Sequence, residues 1–177
     1  FAEHLLDVGP WTTPAPSRRF AGWLHEVDWL QDLLAVNSEE HHAKARAYVD
    51  GWIDTYGKGN EFVSDPVRLS RRLFNWLALW SPALSASGLE DSDMDIGGSG
   101  RVLERRRDSV LRQLTILRGS LKALPPGLPR LTAGCALALG GARMTDGKNQ
   151  FLERGLDLLD VELPLQILPD GGHISRS

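Results

Sequence analysis

The sequence is poor in the features that most readily betray chemistry. One cysteine, Cys135, stands among 177 residues, so no internal disulfide can staple the fold. It lies in Ala133-Gly134-Cys135-Ala136-Leu137, a small apolar run that suits a buried structural thiol better than a nucleophile. No apolar run approaches the roughly 20 residues a membrane-spanning helix needs, and no signal peptide opens the chain. An excess of charge of either sign is nearly absent, since 20 Lys and Arg stand against 23 Asp and Glu for a net value of -3. A phosphate-binding surface needs clustered positive excess, so nucleic acid is not an expected partner. Arg105, Arg106 and Arg107 are dense, but Glu104 and Asp108 flank them, which reads as a solvated helix face. Histidine is sparse: His41 and His42 adjoin on a helix and point apart, while His4 and His25 are isolated. Neither a metal nor another cofactor is expected. Gly97-Gly98-Ser99-Gly100 lacks a preceding strand and a following Lys-Ser/Thr, so it reads as a linker within a loop over 85–100 rather than a phosphate cradle. Strand alternation and a fixed-period repeat are missing too.

What is present is helical periodicity. Gly9, Pro10, Pro14 and Pro16 make residues 1–16 an extended N-terminal arm. From Ser17, the spacing of Phe20, Trp23, Leu24, Val27, Leu30 and Leu34 predicts one helical face, widened by Trp29 and Leu33. Asn37 with Glu40 forms a capping box for a second helix, striped by Ala45, Tyr48, Val49, Trp52, Ile53 and Tyr56 and ended by Gly57 and Gly59. Asp65-Pro66 starts a third, with Leu69, Leu73, Phe74, Trp76, Leu77 and Trp80 inward and a stop near Pro82. A fourth runs over about 101–124. Pro125, Pro126, Gly127 and Pro129 break the chain. A small-residue helix over 131–144 follows, whose Gly134, Gly140 and Gly141 imply close packing, since each otherwise weakens a helix by about 1 kcal/mol. A last helix passes through Phe151 and Leu159, with a separate turn at 161–168 around Pro164. The fold class is therefore all-α, built of antiparallel helical hairpins. Most of the six tryptophans belong to the core, though flat rings can also line a sugar-binding groove.

The chain resembles the heparinase II/III-like polysaccharide lyases in three places: the helix over 20–34, the small-residue helix over 130–143, and Gln166-x-x-x-Asp170-Gly-Gly-His173-x-x-x-Ser177. That resemblance implies an incomplete (α/α) toroid over 17–177, with the family's C-terminal β domain absent. It implies an acidic, uronic-acid-containing polysaccharide as substrate, a glycosaminoglycan being one such polymer, cleaved by β-elimination in a bacterial periplasm or cytoplasm. His173 becomes the acid/base candidate, and Arg130, Gln166 and Asp170 the substrate-binding residues. Pro129-Arg130 stands where many members carry Asn, and the chain stops where the catalytic Tyr follows. The piece alone thus lacks a full catalytic set. The alternative is a non-catalytic carbohydrate-binding domain or a helical scaffold for protein interaction. The opening at Phe1 rather than Met reads as a piece of a longer protein. Apolar helix faces left bare would favour a homo-oligomer.

Overall fold

A computed structural model describes residues 11, 15–36, 38–79, 96–144, 150–167, 172 and 174. The described residues form seven α-helices and one 3-10 turn: α1 (Arg18–Glu26), α2 (Leu30–Ala35), α3 (Glu39–Tyr56), α4 (Pro66–Ala78), α5 (Ile96–Ser120), the turn at Leu121–Ala123, α6 (Leu128–Met144) and α7 (Gln150–Gln166). The all-α class is what the structure shows. No helix among the described residues is long and apolar enough to cross a membrane.

Local chemistry accounts for the boundaries. Ser17 Oγ accepts the Phe20 amide at 3.1 Å and starts α1, and Asp65 Oδ1 accepts the Arg68 amide at 3.1 Å ahead of Pro66, the arrangement that proline at a first helical position favours. The expected single helix over 20–34 breaks at Val27, which adopts φ 54°. The Leu24 carbonyl at the break accepts both the Val27 amide at 3.3 Å and the Trp29 indole at 3.0 Å, so a side chain joins the backbone in closing the helix end. The cap of α3 is Ser38, whose Oγ faces the His41 amide and ring nitrogen. Asn37 lies outside the described residues, and the shift of one position puts His41 where Glu40 was expected to return a bond. At the end of α3 the left-handed glycine is Gly59, φ 80°, while Gly57 stays right-handed.

Three further expectations change. α5 already includes residues 96–100, where a linker was read; helix propagation gains a bond for each residue fixed once a nucleus exists, and that outweighs the glycines. Pro129 sits inside the first turn of α6, where its missing amide would have been unpaired anyway. α7 runs unbroken through Pro164, so the separate turn over 161–168 is part of one helix.

The core joins Leu30, Val49, Trp52, Leu69, Leu73 and Trp76 to Val110, Leu114, Leu117, Ala136 and Leu137. Trp52 and Trp76 meet edge to face at 5.2 Å. On the far side, α6 and α7 approach backbone to backbone. A Cβ on Gly141 would lie 2.4 Å from the Leu152 nitrogen, one on Gly155 2.5 Å from the Ala138 nitrogen, and one on Gly134 2.9 Å from Leu159. As the α6 number falls from 141 to 134, its α7 neighbour rises from 152 to 159, which makes this pair an antiparallel hairpin. Cys135 is half-buried there, and burial raises its thiol pKa.

Candidate functional site

The arginines organise the molecule in ways their charge alone did not announce. Arg72 belongs to the α4 stripe that carries Leu69, Leu73 and Trp76 inward, and it is 1% exposed. Its guanidinium donates to Gln113 Oε1 at 2.8 Å, the His25 carbonyl at 3.2 Å and the Val63 carbonyl at 3.0 Å. It also lies 4.3 Å from the Trp52 ring centre, a desolvated cation–π contact. Burial lowers its pKa to about 9, which leaves it charged at neutral pH. His25, above the same cluster, accepts the Trp52 indole N–H on Nδ1 at 3.1 Å. Burial first, then the charges of Arg72 and Arg68, hold its pKa down at about 4. A neutral ring is what that acceptor role requires. His25, read as isolated, is thus a hub: Tyr56 and Phe62 pack edge-on against it at 4.5 and 5.7 Å, and Trp11 lies 5.8 Å away.

Arg106, expected on a solvated face, is 2% exposed and grips Asp50 of α3 with two bonds of 2.8 and 2.7 Å. Its neighbours are engaged as well: Arg105 reaches Asp54 at 2.5 Å, and Arg107 the Met144 carbonyl at 2.8 Å. In the hollow between α3 and α5, which Asp54, Arg105 and Arg112 border, Arg105 is thus paired with Asp54, and Arg112 donates to the Gly57 carbonyl.

A different surface is built where α1 lies on α4. Two adjoining hollows, of about 380 and 470 Å³, share Trp23, Asp28 and Arg71. The first is bordered by Arg18, Arg19, Gly22, Glu26 and Arg68, the second by Phe74, Asn75, Leu128 and Thr132. The helical period puts Arg19, Gly22, Trp23 and Glu26 on one side of α1, facing Arg68, Arg71 and Asn75 at matching steps of α4. The Ser17 cap and the turn at Val27 fix the two ends of that side.

Two of the carboxylates of this groove, Asp28 and Glu26, are already committed, while Asp32 is exposed at the edge of the second hollow. Asp28 Oδ1 receives Arg71 Nε at 3.0 Å and Asn75 Nδ2 at 2.8 Å. Glu26 lies 3.5 Å from Arg71 and 3.9 Å from Arg68, and burial, aided by Asp28 and Asp65, raises its pKa against the pull of Arg71 and Arg68. Arg68 also approaches Asp65 at 3.5 Å and covers the Phe62 ring at 4.1 Å, yet its buried Nε has no hydrogen-bond partner. Arg18 and Arg19 are exposed, and no carboxylate among the described residues pairs with them. Trp23, expected in the core, is 39% exposed. Phe20 props its ring at 5.3 Å, and Leu128, 65% exposed, extends the apolar strip.

The residues singled out by resemblance sit elsewhere. Arg130 donates to the Leu124 carbonyl at 3.2 Å and to Glu162 Oε1 at 3.1 Å. Glu162 is 1% exposed, and its other oxygen accepts the Gly127 amide at 3.1 Å. Gln166 is buried against Gly127, whose φ is 91° and whose Cβ, if present, would lie 3.4 Å from Gln166 Oε1. Arg130 and Gln166 thus come together around Glu162, in a clamp joining the start of α6 to the end of α7. Asp170 and His173 lie outside the described residues. Glu162 was missed, although the register that turns Phe151, Gly155 and Leu159 inward carries Glu162 and Gln166 with them. Outward from the same helix end, Val161, Leu163, Leu165 and Ile167 are exposed. Among the described residues no three His, Cys, Asp or Glu side chains are grouped to hold a metal.

Comparison with known proteins corrects the lyase expectation. No family model matches the chain, and no solved structure matches it. A curated relative, FtsZ-localized protein C of Caulobacter vibrioides (strain NA1000 / CB15N), is 34% identical over 177 residues, covering 97% of this chain and 27% of the relative. The chain thus spans about a quarter of that protein's length. A relative so named, aligned through nearly the whole chain, overturns the heparinase II/III-like assignment together with the lyase activity and the polysaccharide or glycosaminoglycan substrate drawn from it. What the chain resembles, through almost all its described helices, is a stretch of an FtsZ-localized protein.

Proposed function

We propose that this chain is a helical protein-interaction segment of a cell-division protein that works at FtsZ. The observation that carries the reading is the 34% identity running through 97% of the chain to FtsZ-localized protein C. Identity spread over the whole helical array, rather than confined to a short motif, supports a shared fold and a shared role. The surface supports an interaction role as well: the α1–α4 groove combines an exposed tryptophan with arginines, residue types enriched at the centres of protein interfaces.

The test uses the full-length protein and purified FtsZ assembled with GTP. Sedimentation of the polymers should carry the protein into the pellet, and a fluorescent fusion should gather at the division plane. A protein that stays in the supernatant at every FtsZ concentration, with its fusion spread evenly, would overturn the reading.

A further inference from the structure

The α1–α4 groove has a composition that selects among partners. Its two floor carboxylates, Glu26 and Asp28, are consumed by Arg68, Arg71 and Asn75. Arg18 and Arg19 are left without carboxylates on the first hollow's rim, and the Arg68 Nε, 3.9 Å from Glu26 Oε1, makes no hydrogen bond beside Gly22, whose added Cβ would lie 3.8 Å away. Positive donors outnumber available acceptors along this side. The second hollow adds an apolar strip of Trp23, Phe74 and Leu128. The fixed acids Glu26, Asp28 and Asp32 also border these hollows. They would repel a continuous run of phosphates while leaving room for separated carboxylates.

We propose that the α1–α4 groove binds an acidic peptide segment carrying a large apolar residue, its carboxylates meeting Arg18, Arg19 and Arg68 and its apolar side chain lying on Trp23, Phe74 and Leu128. This rests on the protein-interaction reading above and names the chemistry of the partner. Carboxylates bind arginine through charge-assisted, often two-pronged bonds. A single apolar anchor in a partly desolvated hollow supplies much of the affinity in such contacts.

Fluorescence anisotropy with the full-length protein tests it. The probe is a fluorescein-labelled peptide of alternating Glu and Gly around a central Phe-Leu pair, compared with one carrying Lys for Glu and one carrying Ala for Phe-Leu. The acidic, apolar peptide should bind, with affinity falling as salt rises. The Lys peptide should not bind, and the Ala peptide should bind about tenfold more weakly. An Arg18→Glu/Arg19→Glu double variant and Trp23→Ala should each weaken binding by about tenfold or more. All three side chains are exposed, so circular dichroism should confirm an unchanged fold. Equal binding of the Lys peptide, or no loss in either variant, overturns the proposal. Co-sedimentation with FtsZ separates the two readings. Peptide binding without FtsZ binding removes the FtsZ assignment and leaves the groove's specificity standing, whereas FtsZ binding with no peptide binding does the reverse.

Discussion

Two regions of this molecule bring helices together by opposite means. Around Trp52, α1, α3, α4 and α5 are held apart by large side chains, and a buried cation, Arg72, is shared among a glutamine, two carbonyls and an indole face. Between α6 and α7 the spacers are gone, and Gly134, Gly141 and Gly155 let backbone touch backbone. The first region depends on polar groups finding each other in the dark of the core, so its weakness is an unmet hydrogen bond. The second depends on shape, so its weakness is a single methyl group. A protein can thus be sensitive to loss in one half and to gain in the other.

The largest effect should come from Arg72→Ala, which leaves the His25 and Val63 carbonyls and Gln113 without their donor and opens a cavity against Trp52. A loss of about 4 kcal/mol is expected in urea unfolding. A change under about 1 kcal/mol would mean that the charge costs as much to bury as its bonds return.

Acid should act on the same region next. His25 titrates at about 6.5 when unfolded and about 4 when folded, so between those values the unfolded chain takes up a proton that the native ring refuses. Stability is therefore full above the upper value, falls as pH is lowered through the window, and levels off below the lower one, a total of roughly 3 kcal/mol. Glu26, raised by burial, pushes the profile the other way in every variant, so the difference between wild type and His25→Asn isolates the histidine. Unfolding midpoints at about pH 7.5 and about pH 4.5 should diverge for wild type more than for His25→Asn.

The smallest changes test the glycines against one another. Gly155→Ala drives a methyl into the α6 backbone, 2.5 Å from the Ala138 nitrogen, and should cost about 2 kcal/mol. The same substitution at Gly22, where the nearest atom is 3.6 Å away, meets ordinary contact and should raise stability by up to about 1 kcal/mol through helix propensity. Thermal melts of the pair should move in opposite directions. Equal shifts would dissolve the contrast between the two halves.

Much of this arrangement was legible in the residues. Stripes such as Leu69–Leu73–Trp76 and Val110–Leu114–Leu117 located the helices, and the glycines of α6 announced close approach, because periodicity and steric size are local properties. Charged residues on those same stripes were harder to read. Arg72, Arg106 and Glu162 lie in inward registers, but whether such a residue is buried depends on a partner tens of residues away, and the chain does not write that pairing beside it. Trp23 misled in the other direction: its spacing matches the core of α1, but the turn at Val27 ends the helix before that face is covered. The short motif over 166–177 misled most, since a dozen residues of likeness weighed against an alignment running through the whole chain.

That turn has a further consequence. A valine in the left-handed region sits about 1–2 kcal/mol above its ordinary backbone energy, and the packing around its buried side chain, together with the Trp29 indole on Leu24 and the Asn75 amide on the Glu26 carbonyl, holds it there. The corner between α1 and α2 is a spring kept under load. Were those contacts to slacken, the backbone preference at Val27 would favour straightening α1 and α2 toward one rod, drawing Arg19 and Trp23 away from Arg68 and dismantling the groove. Amide hydrogen exchange at Val27 and Leu30, whose N–H groups bond across the corner, would be the first signal of that release.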